Sequence, residues 1–232
     1  MTLKKNTTLK KNLVLKKNLA LKKKRRAAKR PTWNKGVEVG QKDAFTQAQV
    51  RQIRRVLSKR GMAGARDLSL FTLAIDTMLQ GPELLNLTVK DVAHSDGSIR
   101  SIIRVARGRR KPPVRCALSR ATAQSLAKWI AASRMKRGDL IFPGRGGRRP
   151  RAMSARQMNR LLKAWVAEAG LDPRSYGKES LRRTKALYIL NGTGDLETVR
   201  LLLGHAKIES TANYLRIVRR SDPIAVSRAF EI

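Results

Sequence analysis

The amino-acid sequence predicts an α+β fold that is mainly α-helical, with a small antiparallel β-sheet inserted early. From about Phe45 onward, apolar residues recur at helical spacing in most segments, and glycine or proline marks most of the breaks. Two short runs, Ile99–Val105 and Val114–Ser119, are instead typical of strands and flank a basic turn. The beginning of the chain has neither pattern.

The beginning of the chain is a basic repeat with a period of six, read as TLKKNT, TLKKNL, VLKKNL and ALKKKR. Because six residues advance about 600° along a helix, the repeated leucines spiral around it and form no single face. Through Gly36 this segment carries 14 positive and no negative side chains. We therefore predict a disordered basic arm over 1–36 and a folded domain over 37–232. The run 22–31 also resembles a nuclear import signal, a pattern common in basic tails.

The folded domain is expected to begin with three helices. Thr46 and Gln49 are typical of a capping box, and the helix that they start should end near Gly61. A second apolar stripe extends to Gly81, and Pro82 suits the first turn of a short third helix, PELLNL. The apolar positions of the first two helices are Val50, Ile53, Val56 and Leu57, then Leu68, Phe71, Ala74, Ile75, Met78 and Leu79.

A β region should follow, and the rest of the chain should be helical. Val89 and Val92 are expected to lead into a turn at Asp96-Gly97, followed by the strand Ile99–Val105, the basic turn GRRKPP and the strand VRCALS. The later helices are predicted near 119–135, 154–169, 178–190, 195–203, 209–216 and 223–230.

Charge indicates the partner. The formal net charge is +36, from 52 basic and 16 acidic residues, and removing the 14 charges of the arm still leaves +22 on the folded part. Self-repulsion of this size requires counterions, and nucleic acid phosphates supply them. Aromatic residues make up only 4% of the chain, which argues against base stacking as the mode of binding. We expect double-stranded DNA as the partner, and charge alone leaves an RNA-binding protein as an alternative.

Other classes are disfavoured by composition. Cys116 is the single cysteine, so an internal disulfide and a cysteine-based zinc site are excluded, and it is expected to be a small buried apolar residue. We expect no metal and no cofactor. No run approaches the roughly 20 apolar residues of a membrane span, and no signal peptide is evident. The single cysteine fits a reducing cytoplasm, which is the expected location.

The C-terminal part carries a possible catalytic set. Gly204 is suited to end the helix 195–203, which would let the ring of His205 project into a cleft. Tyr214 lies on the next helix and Arg182 on an earlier one. A tyrosine hydroxylate can attack a phosphodiester while arginine and histidine donors stabilise the developing charge. Taken singly, Tyr214, His205 and Arg182 could instead be a core aromatic, a helix-end partner and a phosphate contact. The helices 195–203 and 209–216 could also form a helix-turn-helix.

The segment LLLGHAKIESTANY resembles the C-terminal signature of the tyrosine recombinases, the phage integrase family, in which a Gly-His pair precedes the nucleophilic tyrosine by nine positions. His205 and Tyr214 match that spacing. ESLRRT resembles the box with the second catalytic arginine, so Arg182 matches the arginine and Glu179 stands where that family has a histidine. The block 67–93 resembles the one that carries the first catalytic arginine, and Gln80 occupies that position. Glu83 matches an acidic residue that the family usually keeps just after it.

The resemblance covers roughly residues 37–220 and is greatest to short integrase-like proteins of bacterial mobile elements that lack a core-binding domain. It implies that the folded part is a recombinase catalytic domain acting without metal or nucleotide. Tyr214 would form a 3′-phosphotyrosine, Arg182 and His205 would bind the phosphate, and Arg109 or Lys111 in the β-turn would approach the leaving 5′-oxygen. Losing cations at Gln80 and Glu179 should impair catalysis, so a non-catalytic DNA-binding accessory or regulator is the alternative.

Basic strips outside the active site are expected to grip the DNA backbone. Their residues are Arg107, Arg110, Arg183, Lys185, Arg148 and Arg149. In the resembled family a terminal helix often docks on a neighbouring protomer, so the segment 222–230 is expected to support a homo-oligomer on DNA. We predict that Arg182, His205 and Tyr214 converge within a basic cleft.

Overall fold

Helices dominate the computed structural model, which describes residues 41–107, 113–144 and 150–215. The described residues from Lys42 onward belong to one compact unit. The predicted arm over 1–36, the C-terminal segment 222–230 and several candidate residues lie outside the described ranges, so the predicted domain boundary stays a prediction. These candidate residues are Arg109, Arg110, Lys111, Arg148 and Arg149.

The first two helices are α1 (Gln47–Ser58) and α2 (Gly61–Thr77). The predicted capping box is present, because Gln49 N donates to Thr46 Oγ1 over 3.3 Å and Thr46 N donates to Gln49 Oε1 over 2.9 Å. Helix α2 begins at Gly61, earlier than the apolar stripe indicated, and it ends before Met78, which has a left-handed φ of 50°. Met78 and Leu79 lie in the loop that follows α2, and both side chains are buried.

The predicted β region contains the expected pair of strands, but its first residues are helical. Helix α3 (Gly81–Leu85) contains Pro82 as expected, but Val89 and Val92 lie in a short helix, α4 (Val89–Val92). The reason is local, since Asp91 accepts hydrogen bonds from both the N–H and the hydroxyl of Thr88 and so caps a helical turn.

The two strands, β1 (Ile102–Val105) and β2 (Val114–Ala117), form an antiparallel pair. Ile103 is paired with Cys116 and Val105 with Val114, and these four side chains are buried while their neighbours along each strand are exposed. Burial raises the pKa of the Cys116 thiol to about 11, so Cys116 is the small buried residue that was expected.

The remaining described elements are helices: α5 (Arg120–Ala132), α6 (Ala155–Glu168), α7 (Lys178–Thr193), α8 (Leu196–Leu203) and α9 (Ile208–Leu215). Ser119, Ser154 and Asp195 cap α5, α6 and α8 through side-chain oxygens. The predicted α+β class, mainly helical with one small antiparallel sheet, is confirmed. None of the helices in the described ranges is long and apolar enough to cross a membrane.

Two apolar clusters hold these elements together. The larger one surrounds Trp165 and Phe71, where the buried Asp67 accepts a hydrogen bond from Trp165 Nε1 over 2.8 Å and pairs with Arg60 and Arg66. The smaller one joins α7, α8 and α9 to the end of α2. Its buried members are Met78, Ala186, Val199, Leu203 and Leu215. Close packing in this smaller cluster sets the relative positions of the helices that carry the candidate catalytic residues.

Candidate active site

Helices α7, α8 and α9 bring Arg182, His205 and Tyr214 together. The rings of His205 and Tyr214 meet edge to face, with centroids 5.5 Å apart. The Arg182 guanidinium carbon lies 5.8 Å from the centroid of the Tyr214 ring. Three residues that span 33 positions of the chain therefore form a single cluster of a guanidinium, an imidazole and a phenol.

Arg182 is held inside the protein by the end of α8. Its side chain donates from Nη2 to the Leu203 carbonyl over 2.6 Å, and the residue is only 5% exposed. Its buried Nε has no hydrogen-bond partner among the described residues. Burial lowers the pKa of Arg182, because removing a guanidinium from water disfavours its charge. A buried cation with an unused donor is well suited to bind an anion.

His205 is aimed by the glycine that ends α8. Gly204 has a left-handed φ of 65°, and His205 Nδ1 lies 3.1 Å from the hydroxyl of the buried Thr211. Burial, followed by the charges of Arg182 and Arg107, lowers the pKa of His205. The ring is therefore neutral near pH 7, and the tautomer with its proton on Nε2 can accept the Thr211 hydroxyl at Nδ1. In that tautomer His205 can donate a hydrogen bond to a phosphate.

Tyr214 lies between cations and one carboxylate. The guanidinium of Arg183 lies 5.0 Å from the centroid of its ring. The Tyr214 hydroxyl faces Glu179, at 3.3 Å from the backbone oxygen and 3.5 Å from Oε2. Burial raises the pKa of Tyr214 above its ordinary value, the Glu179 charge raises it further, and Arg182 and Arg183 oppose this. The phenol is consequently protonated near neutral pH, and its proton must be removed for attack.

The position that lacks the first arginine is used for helix capping. Gln80 is the N-cap residue of α3, and its backbone N–H donates to Glu83 Oε2 over 2.8 Å. Lys178 approaches the same place, since its Nζ lies 4.0 Å from where a β-carbon added at Gly81 would be. Lys178 was not among the residues predicted from the sequence.

Arg107, predicted to contact the DNA backbone outside the active site, lies inside the cluster. Its side chain is 6% exposed, and Nε lies 3.2 Å from Glu83 Oε1. Its Nη2 donates to the Leu203 carbonyl over 3.1 Å, and this carbonyl also accepts from Arg182. Strand alternation could have indicated this, because positions 103, 105 and 107 share the inward face of β1 and its continuation.

Arg183 is also not an exposed DNA contact. It is 4% exposed, donates from Nε to the Tyr214 carbonyl over 3.0 Å and donates from Nη1 to the Lys42 carbonyl. A guanidinium with internal acceptors on two sides supports the backbone that carries Tyr214. Lys185 is partly exposed and pairs with Asp76 at 3.6 Å, so a phosphate would compete with that carboxylate.

No group of three or more histidine, cysteine, aspartate or glutamate side chains in the described part of the chain could hold a metal ion. The predicted hairpin candidates Arg109 and Lys111 and the predicted DNA contacts Arg110, Arg148 and Arg149 lie outside that part.

Comparisons with known proteins agree on one family. The sequence model of the phage integrase family matches residues 43–220. Tyrosine recombinase XerC of Corynebacterium efficiens is 33% identical over 155 residues, which cover 66% of this chain and 46% of XerC. Tyrosine recombinase XerD of Shewanella oneidensis is 24% identical over 182 residues, covering 76% of this chain and 58% of XerD. The chain thus spans about half the length of the curated relatives that it matches.

Solved structures share the fold. The crystal structure of XerA recombinase superposes with a TM-score of 0.62 at 19% sequence identity, and the match covers 81% of this chain and 63% of the XerA chain. XerH site-specific recombinase bound to a palindromic difH substrate, in a post-cleavage complex, superposes with a TM-score of 0.62 at 19% identity and covers 82% of this chain and 54% of its own. The fold described above is therefore shared with these recombinase structures.

Proposed function

The chain belongs to the phage integrase family, and from that premise we propose that it is a tyrosine recombinase that binds duplex DNA, breaks one strand and rejoins it to another. The observation that carries this proposal is the convergence of Arg182, His205 and Tyr214 in one cluster. The net charge of +36 supports a polyanionic substrate. We further propose DNA integration or site-specific recombination on nucleoid DNA as the process.

The proposed reaction is a transesterification. The Tyr214 oxygen attacks the scissile phosphorus, a phosphorus–oxygen bond to the tyrosine forms, and the bond to the 5′-oxygen breaks. The strand is held as a 3′-phosphotyrosine, and the leaving oxygen takes up a proton to become a 5′-hydroxyl. Attack by a second 5′-hydroxyl reverses these steps. Each step exchanges one phosphate ester bond for another, so rejoining the strand needs no ATP or other nucleotide cofactor.

Each residue of the cluster has a role in this reaction. The buried guanidinium of Arg182 binds a non-bridging phosphate oxygen, and the neutral ring of His205 donates to the same phosphate. The phenol of Tyr214 must lose a proton on attack, and the Glu179 carboxylate, 3.5 Å from the hydroxyl, is placed to accept it. Glu179, at the position of the family's histidine, would thus act as the base.

A DNA-binding protein without catalysis is the second candidate. Gln80 puts a neutral side chain where the family has an arginine, and the raised pKa of Tyr214 disfavours the nucleophilic phenolate. Such a protein would regulate recombination or compete for its DNA sites. It would bind duplex without forming a covalent complex.

The two candidates are separated by trapping a covalent complex. The probe is a pool of DNA duplexes with a randomised central sequence. At varied positions a sulfur atom replaces the bridging 5′-oxygen of the phosphodiester. Cleavage then releases a 5′-thiol, which does not rejoin the strand, so the covalent complex accumulates. We expect a denaturation-resistant protein–DNA adduct that Tyr214→Phe abolishes while duplex binding persists. Tyr188→Phe is the matched control, since Tyr188 is 57% exposed on α7.

No adduct with retained duplex binding would identify the non-catalytic protein, and preference for structured RNA over duplex would contradict both candidates. The mass of the native complex in the same experiment tests the proposed homo-oligomer on DNA. We propose that the segment 222–230 joins neighbouring copies. The exposed apolar side chains of Leu201 and Ile208, on α8 and α9, support an apolar contact between them.

A further inference from the structure

The cluster has a deficit of positive charge at the positions expected to supply it. Gln80, the N-cap residue of α3, is neutral, while Glu179 is negative and faces the Tyr214 hydroxyl. Attack on a phosphodiester increases negative charge on the non-bridging oxygens, and one guanidinium is a small counter-charge for it. An efficient site of this kind requires another fixed cation.

Arg107 provides a cation at the right place. It shares the Leu203 carbonyl with Arg182, so donors from the two guanidinium groups converge on one oxygen, at 3.1 Å and 2.6 Å. Its charge, together with that of Arg182, lowers the pKa of His205. Arg107 therefore lies beside both residues proposed to bind the phosphate.

Two features position the Arg107 side chain. Glu83 accepts the N–H of Gln80 with one oxygen and pairs with Arg107 Nε through the other, so the acidic residue next to the missing arginine holds Arg107 instead. The second feature is Gly204, because a β-carbon there would overlap Arg107 Nη1. The guanidinium thus lies against the backbone immediately before His205.

We propose that Arg107 is a catalytic residue that binds the scissile phosphate together with Arg182 and replaces the charge that Gln80 lacks. This inference rests on the proposed recombinase function. A guanidinium suits the task because the four N–H donors of its two terminal nitrogens can bond phosphate oxygens while Nε stays beside Glu83, and it holds its charge throughout. The same property makes Arg107 a poor proton donor to the leaving oxygen.

The test compares cleavage of two duplex pools, one with the natural 5′-oxygen leaving group and one with the bridging sulfur, which leaves without being protonated. We expect Arg107→Ala to reduce adduct formation about 10²–10³-fold on both pools, the usual effect of removing one charged transition-state contact. Arg107→Lys should retain part of the activity. Arg104→Ala, on the exposed face of β1, is the matched control and should cleave normally.

A second variant tests replacement of the missing arginine directly. Gln80→Arg in the Arg107→Ala background should restore adduct formation, because it returns a guanidinium to the other side of Glu83. The expected result is that the double variant cleaves more than Arg107→Ala alone. A folding defect caused by Arg107→Ala would lower cleavage in both proteins and would not produce this gain.

Three outcomes decide against the inference. If Arg107→Ala cleaves like the parent protein, Arg107 does not bind the phosphate, although the recombinase function stands. If the sulfur pool restores cleavage by Arg107→Ala, Arg107 acts on the leaving group. If the parent protein forms no adduct on either pool, the proposed function fails and the inference fails with it.

Discussion

At the residue scale, the environment of Tyr214 is the most informative feature of the site. Its hydroxyl faces a carboxylate, and its ring is flanked by two guanidinium groups. Burial and the Glu179 charge raise its pKa, and the charges of Arg182 and Arg183 oppose them only in part, so the phenol is protonated at rest. Attack therefore requires a proton acceptor, the role proposed above for Glu179.

Glu179→Gln separates the electrostatic effect of Glu179 from its role as a base. Removing the negative charge should lower the pKa of Tyr214, although burial, the larger cause, keeps it above the ordinary value of 10.0. If Glu179 accepts the proton, cleavage near pH 7 should nevertheless fall and should recover as the pH rises toward the pKa of Tyr214. NMR titration of carbon-labelled tyrosine in the parent protein and in Glu179→Gln gives the direction in which the pKa of Tyr214 moves.

Single-turnover adduct formation across the same pH range gives the rate for Glu179→Gln. A variant that cleaves faster than the parent protein near pH 7 would show that Glu179 only opposes the phenolate and that another group takes the proton. Glu179→His, which restores the residue expected at this position in the family, serves as the comparison because an imidazole can accept the proton without a permanent negative charge.

At the scale of elements, the junction between α8 and α9 organises the site. The last turn of α8 presents the Leu203 carbonyl to Arg107 and Arg182, Gly204 reverses the chain, and His205 follows. One short turn therefore positions both guanidinium groups and the imidazole. The Thr211 hydroxyl, one turn into α9, fixes the ring of His205.

Gly204→Ala should disturb this junction. The left-handed φ of 65° alone costs a non-glycine residue about 1–2 kcal/mol, and the added β-carbon would also displace the Arg107 guanidinium. We expect a lower midpoint of urea unfolding and a loss of cleavage that exceeds what the loss of stability explains.

Gly192→Ala, in the last turn of α7, is the control for Gly204→Ala. A β-carbon at Gly192 meets nothing within 4 Å, and the φ of Gly192 is not positive. Because alanine is favoured in helices by about 1 kcal/mol at most, this variant should unfold at the same or a slightly higher urea concentration. Equal stability of the two variants would contradict the proposed strain at Gly204.

At the scale of the whole molecule, charge governs association with DNA. The 14 charges of the segment 1–36 and the +22 of the rest of the chain are expected to displace counterions from duplex, so affinity should fall steeply with salt. Because Arg183 and Lys185 have internal partners, we expect the contacts that produce this dependence to come largely from other basic residues.

Duplex affinity measured over a series of KCl concentrations checks this expectation. The logarithm of the binding constant should fall linearly with the logarithm of salt concentration, by about 0.9 per phosphate contacted. A chain lacking residues 1–36 should give a shallower slope and still bind at low salt. Loss of all duplex binding in that chain would mean that the folded part is not itself a DNA-binding domain.

The sequence alone determined the fold class, most helix boundaries, the family resemblance and three members of the candidate site. These features depend on local patterns: the spacing of apolar residues, capping side chains such as Thr46 and Gln49, and the fixed distance between His205 and Tyr214. The exception among the elements, Val89–Val92, was decided by a side-chain cap that outweighed β-branched propensity.

Only the tertiary structure decided what the basic residues do. Charge alone makes Arg107, Arg182 and Arg183 equally plausible DNA contacts, since each is a cation in a basic run. Packing of α7, α8 and α9 around their apolar cluster then brings two guanidinium groups to one carbonyl and a third to the backbone of Tyr214. The physical reason is that burial and hydrogen-bond partners are set by residues far apart in the chain, which local periodicity does not encode.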